Sequence, residues 1–345
     1  MRISLTIAAL AMAFCAGCGA RAPKSATDYR LLQRVNVGGE GRWDYVAVDE
    51  KYHRLFVPRS THVMVLDLST QELKQVGDIP QTDGVHGVAF DYKGGHGFTS
   101  NGRDNSITVF ELKTLKVIGK VKAGTNPDAI VFDPASRRVF AMNHTSGDVT
   151  AFSAEGDFTR PVETTTIAVG GTLEYAVVDE AGHLYVNVED KNQTVAIDTR
   201  TMKVDGRWEL GEGEEPTGLA IDIKRGLLFA VCHNRKLVVL DCHSGKIVAT
   251  LPIGGNVDGC AFDSDRNLAF TSNGEGTVTV VSDADSARPT VVGTVTTQRG
   301  ARTIAVDSAT HRLYLPAEDS DAKPAGTATT RPAPAQGSFV ILVVG

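Results

Sequence analysis

Seven regularly spaced positions carry most of the chemistry this chain offers: Asp44, His86, Asp128, Glu174, Thr217, Asp258 and Arg302. Each stands five residues ahead of an aspartate that closes a short apolar triplet. Hard cations require several oxygen ligands, and an imidazole shifts preference toward zinc or another transition ion. Asp44, Asp128, Glu174 and Asp258, joined by Asn101 and Asn143, offer the oxygens, and His86 offers the nitrogen. A divalent cation is therefore the cofactor these residues could hold, with His86, Asp128, Glu174 and Asp258 as the candidate ligands. A second set, Arg59, Asn101, Asn143, His144, Glu189, His233 and Asn273, closes the segment that follows each of the first six positions. The competing explanation is structural, because Asp and Asn also cap turns for backbone reasons and none of these spacings is a ligand motif.

Other chemistries find less support. The chain has no nucleophile elbow, Gly-rich phosphate loop, CxxCH or HExxH, so covalent, nucleotide, haem and standard metalloprotease mechanisms have no anchor. A lactonase-like hydrolase remains as an alternative, using a bound metal as Lewis acid and His86 or an adjacent carboxylate as base. The leading reading is a non-enzymatic binding scaffold for a protein, peptide or glycan. The formal charge of -6 is spread along the sequence, which gives no basic stripe for nucleic acid.

These positions need a scaffold that repeats with them. Val46-Ala47-Val48-Asp49 returns as Val88-Ala89-Phe90-Asp91, Ile130-Val131-Phe132-Asp133, Ala176-Val177-Val178-Asp179, Leu219-Ala220-Ile221-Asp222, Cys260-Ala261-Phe262-Asp263 and Ile304-Ala305-Val306-Asp307, so successive aspartates lie 41 to 46 residues apart. That period suits a four-stranded blade. After each Asp a polar turn leads to a second apolar strand, such as Arg54 to Val57. A third strand alternates β-branched residues, as in Ile107 to Phe110, and a more polar fourth ends in Gly. The pattern predicts an all-β, seven-bladed β-propeller of four-stranded antiparallel blades. The seventh repeat stops after its third strand, Phe339 to Val344, and Leu31 to Gly39 has the pattern of the missing fourth. The N-terminal strand is thus expected to close the last blade, so that no sheet edge is left open. In such a ring the inner strands put the first set of residues at one channel mouth and the second set on its rim. The seven repeat aspartates themselves read as turn caps. Of the two tryptophans, Trp43 is the better placed to stack on a ligand, and Trp208 reads as blade packing.

The repeats resemble the YVTN β-propellers, the group that includes YncE-like exported proteins, over nearly all of Leu31 to Gly345. Phe98-Thr99-Ser100-Asn101, Phe140-Ala141-Met142-Asn143 and Phe270-Thr271-Ser272-Asn273 match the aromatic-x-x-Asn element, and Gly124-Thr125-Asn126-Pro127 and Gly213-Glu214-Glu215-Pro216 match the inter-blade turn. Arg59, Val188, Cys232 and Ala317 stand where other repeats carry the Asn. The resemblance implies a seven-bladed, extracytoplasmic propeller and no single activity.

The ends agree with export. Residues 1–18 read as a signal peptide: Met1 and Arg2 precede an apolar run from Ile3 to Phe14, and Ala16-Gly17-Cys18 has the form of a lipobox that would lipidate Cys18. Ordinary cleavage after Ala20 or Ala22 is the alternative. Residues 19–28 form a flexible tether, 29–345 the propeller, and 318–336 a flexible insert in its last blade, rich in Ala, Thr and Pro. The expected location is the periplasm or the outer face of a bacterial membrane, as a lipoprotein that is monomeric and touches the membrane only through its lipid. Cys232, Cys242 and Cys260 allow at most one disulfide, with Cys232 and Cys260 the pair at neighbouring strand ends, or none.

Overall fold

Alternation between inward and outward faces is the organising pattern. The strand Val85–Asp91 buries every second residue, whereas Val117–Lys122, at the outer edge of the same sheet, is largely exposed. A computed structural model describes residues 28–318 and 339–345, and in it 28 strands form seven four-stranded antiparallel sheets. The protein is a seven-bladed β-propeller. The signal segment, Cys18, all of the tether except Asp28 and all of the insert except Glu318 lie outside the described residues. Among the described residues no helix is long and apolar enough to cross a membrane.

The inner strands of the seven blades are β2 (Ala47–Asp49), β6 (Val85–Asp91), β10 (Pro127–Asp133), β14 (Leu173–Val178), β18 (Pro216–Asp222), β22 (Val257–Asp263) and β26 (Ala305–Asp307). Adjacent blades share their cores. Phe98, Ile107 and Val109 of the second blade pack with Val139, Ala141 and Phe152 of the third in one buried cluster. At the far end of each inner strand the repeat Asp accepts backbone N–H bonds from the turn that follows: Asp91 from Lys93 and Gly94 at 3.1 and 2.9 Å, and Asp179 from Ala181 at 2.8 Å. Several of these carboxylates also meet a cation on the next blade, as Asp91 does with Arg137 at 2.6 Å.

The last blade has the order β1 (Leu31–Asn36), β28 (Phe339–Val344), β27 (Arg312–Glu318), β26, so the N-terminal strand does close it. The pairing runs from Leu31 opposite Val344 to Asn36 opposite Val340. The expected strand is shorter than Leu31 to Gly39, because Gly38 and Gly39 take φ values of 61° and 82° and turn the chain toward the first blade. Before β1, Tyr29 packs on Phe270 at 4.9 Å, and its hydroxyl oxygen accepts a hydrogen bond from Arg266, three residues beyond Asp263.

Cys232, Cys242 and Cys260 are all buried and unpaired, so the Cys232–Cys260 disulfide does not form. Burial pushes the Cys232 thiol up to about 12, and it behaves as a packed apolar group.

Candidate functional site

A β-bulge decides where the side chains of the inner strands point. In five blades the register with the second strand shifts at one place: between Val85 and Val88, Pro127 and Ile130, Leu173 and Ala176, Pro216 and Leu219, and Val257 and Gly259. His86, Asp128, Glu174, Thr217 and Asp258 sit inside those five shifts. Bulges re-aim side chains, and here they turn all five into the channel mouth. In the first and seventh blades the inner strand starts later, and Asp44 and Arg302 reach the same place from the segment ahead of it.

The result is a funnel of about 600 Å³ to which all seven blades contribute. Ten residues singled out from the sequence line it: Asp44, His86, Asp128, His144, Glu174, Glu189, Thr217, His233, Asp258 and Arg302. Tyr45, Asn126, Asn256 and Arg299 also line it, and the repeat pattern did not single them out. Tyr45 had a signal of its own. It occupies a position where the other repeats have Gly87, Ala129, Gly218, Gly259 and Thr303, and only Tyr175 matches it. These two rings meet edge-on at 4.8 Å, and the Tyr45 hydroxyl donates to Glu174 Oε2 at 3.1 Å, joining the first blade to the fourth.

Arg59, Asn101, Asn143 and Asn273 do not reach the funnel, which corrects their expected place on its rim. All four are fully buried. Strand alternation explains the asparagines: each faces the interior of its own blade, and the residue after it, such as His144, faces the funnel. Asn101 Nδ2 donates to Ser106 and Thr108 at 3.1 and 2.9 Å, and Asn273 Nδ2 to Thr277 and Thr279 at 3.0 Å each. Asn143 likewise donates to Asp148 and Thr150 on the neighbouring strand. Arg59 is a latch. Its guanidinium donates to the carbonyls of Gly38, Gly39 and Gly41 at 2.7 to 3.1 Å and lies 3.6 Å from the centre of the Phe339 ring. Burial lowers it to about 10. Trp43 packs on Phe339 at 5.5 Å in the core between the seventh and first blades and also lines a side lobe that adjoins the funnel. Trp208 packs on Tyr185 at 5.7 Å.

Inside the funnel the charged groups are paired across blades. His86 Nδ1 lies 2.7 Å from Asp44 Oδ2 and 3.0 Å from Asp128 Oδ1, between the first and third blades. Burial opposes a charge on this ring, but the hydrogen bonds to Asp128 and Asp44 outweigh it and lift His86 to about 11. His144 Nδ1 lies 3.1 Å from Glu174 Oε1, a contact that raises His144 to about 9. Burial in turn lifts Glu174 to about 7 and raises Asp44 above the ordinary carboxylate range. Asp258 meets Arg302 Nε at 3.3 Å, yet burial and the neighbouring carboxylates still push it well up. At neutral pH, therefore, His86 and His144 carry protons that offset part of the carboxylate charge. A side lobe of about 330 Å³ adjoins the funnel and shares Asp44, His86, Asn126 and Arg302 with it. Arg42 and Arg103 give this lobe a basic character.

The expected metal set changes with this geometry. Among the described residues, two groups of ligand atoms lie within 4.8 Å of one another, Asp44–His86–Asp128 and Asp128–His144–Glu174. Asp258 belongs to neither and is paired with Arg302 instead.

No protein-family model matches the chain, and no curated protein matches it. Among solved structures it is similar to hydrazine synthase of Kuenenia stuttgartiensis, with a TM-score of 0.67 and 14% identity over 81% of this chain and 93% of that one. At that identity the likeness is one of fold.

Proposed function

We propose that this is an exported propeller of the YVTN, YncE-like type that captures a polar peptide or glycan in the funnel at one mouth of its channel. The observation that carries the proposal is convergence: all seven blades send polar side chains into a single concavity of about 600 Å³. Binding sites are concave, with a few placed polar groups. Here Asp44, Asp128, Glu174, Glu189 and Asp258 face Arg299, Arg302 and three histidines, and Arg42 and Arg103 stand in the side lobe. That mixture favours a ligand with donors, acceptors and both signs of charge over an apolar one.

A panel of short peptides and oligosaccharides, screened by thermal shift, tests this. Hits should stabilise the wild-type protein and lose their effect in Arg302→Ala and Asp44→Asn. Hits that survive both substitutions would place the binding elsewhere. Export and tethering through lipid on Cys18 are part of the same proposal, and Cys18→Ala should move the protein from the membrane to the soluble fraction. Unchanged partitioning removes the tether.

One observation favours a second reading, a metal-assisted hydrolase of the lactonase kind: the carboxylates and imidazoles gather at ligand distance from one another. Chelator-sensitive opening of a lactone panel would support it. A panel left untouched would remove it.

A further inference from the structure

We infer that the funnel holds a pair of divalent transition-metal ions bridged by the carboxylate of Asp128, one ion on Asp44 and His86 and the other on His144 and Glu174. The inference rests on the reading of the funnel as the functional site and names what its floor would bind.

Three features support it. Asp128 is common to both groups of ligand atoms, and its two oxygens allow one carboxylate to serve two ions, the arrangement that two-metal sites use. The distances also suit the ions. Zinc holds nitrogen and oxygen ligands at about 2.0–2.2 Å, so ligands around one tetrahedral ion lie roughly 3.5 Å from each other. The contacts of 2.7, 3.0 and 3.1 Å around His86 and His144 open to that spacing with shifts below 1 Å in side-chain position. Each ion would have three protein ligands, which leaves positions for solvent or ligand, as in sites that do more than hold structure.

The second feature is the donor set. Two imidazoles among three carboxylates select first-row transition ions over calcium or magnesium, which take oxygen almost alone. The third is the support behind the ligands. Tyr45 donates to Glu174 Oε2 at 3.1 Å, Thr303 Oγ1 donates to the Asp44 carbonyl at 3.0 Å, and Ser100 Oγ donates to the Asp128 carbonyl. Partners of this kind orient ligating groups before an ion arrives. Asp128 and Glu174 are 7% and 8% exposed, so a bound ion would be shielded from water on the protein side.

The test is metal content. Protein stripped with chelator, loaded with Zn²⁺ at pH 8 and dialysed should retain two zinc ions per chain by plasma mass spectrometry. His86→Ala and His144→Ala should each retain one, and Asp128→Asn none. Cobalt titrated into the stripped wild-type protein should give visible d–d absorption that stops growing at two equivalents, a readout that needs no variant to fold. Fewer than two ions, or two that survive Asp128→Asn in a folded protein, overturns the inference. The peptide and glycan panel is run on stripped protein in parallel. Hits retained there, with the two-ion stoichiometry absent, remove the metal pair and leave the binding reading standing.

Discussion

Replacing Asp283 by Asn should make this protein more stable at pH 8 and leave it nearly unchanged at pH 4. Asp283 follows the third strand of the sixth blade, Thr277–Ser282, and is fully buried, with the carboxyl of Asp222 as its side-chain hydrogen-bond neighbour. The matching position in the fourth blade is Thr199, whose hydroxyl donates to Asp133 Oδ2 of the neighbouring blade at 3.0 Å. Asp283 faces the equivalent aspartate, Asp222, and brings a second carboxyl where a donor belongs. Burial, with Asp222 adding to it, lifts Asp283 to about 7. An unfolded Asp titrates near 3.9, so the folded protein binds this proton more tightly. Its stabilising effect is complete below about pH 4 and is lost as pH rises through about 7. Three pK units at about 1.4 kcal/mol each set a ceiling of ~4 kcal/mol, and an unsatisfied buried acceptor costs ~1–3 kcal/mol, so the expected gain at pH 8 is about 2 kcal/mol. Urea denaturation of both proteins at pH 4 and pH 8 measures it, and groups common to both cancel in the difference. An equal midpoint for the two proteins at pH 8, or the same gain at both pH values, would refute the reasoning.

Arg59→Met should cost roughly 2 kcal/mol, because the partly exposed carbonyls of Gly38, Gly39 and Gly41 lose a charged donor, and should expose the N-terminal strand to protease; an unchanged denaturation midpoint contradicts the latch. In protein stripped with chelator the His86 imidazole should titrate at about 11 by NMR and at a lower value in Asp44→Asn, where only the Asp128 contact remains, and a value near 6.5 without the substitution would mean that its two carboxylate contacts are not made in solution. Its contribution to stability is present at acid and neutral pH and lost as pH rises toward 11. Gly102→Ala would place a Cβ 2.3 Å from Asn126 Oδ1 and 2.7 Å from His86 Nε2, so both side chains should be displaced and the His86 titration should drop, whereas an unaltered His86 resonance would contradict the close packing of this wall.

The architecture was legible because a propeller writes its period into the chain. The Asp repeats, the shortened seventh repeat and the spare N-terminal strand all have one arrangement that gives every blade four strands and joins the two ends of the ring. The site was only partly legible. Position ahead of the repeat Asp found the seven mouth residues, yet nothing in the local sequence marks the bulges that turn His86, Asp128 and Glu174 inward. Asn101, Asn143 and Asn273 misled because a polar residue at a strand end serves a turn or a ligand equally well, and only the parity of the strand separates the two. Arg59 misled for another reason: its partners are backbone carbonyls of a linker that the repeat pattern does not describe. Tyr45 was visible as an exception within a repeat, which is where a repeated scaffold must break its own pattern to become specific.

The closing strand also gives the molecule a direction. β1 starts beside Tyr29, Arg266 and the turns after the repeat aspartates, and its chain reaches the funnel side only after Gly38 and Gly39. The strand therefore leads from one face of the disc to the other. The described chain thus enters the propeller at Asp28 on the face opposite the funnel, and the open mouth lies on the other side of the disc.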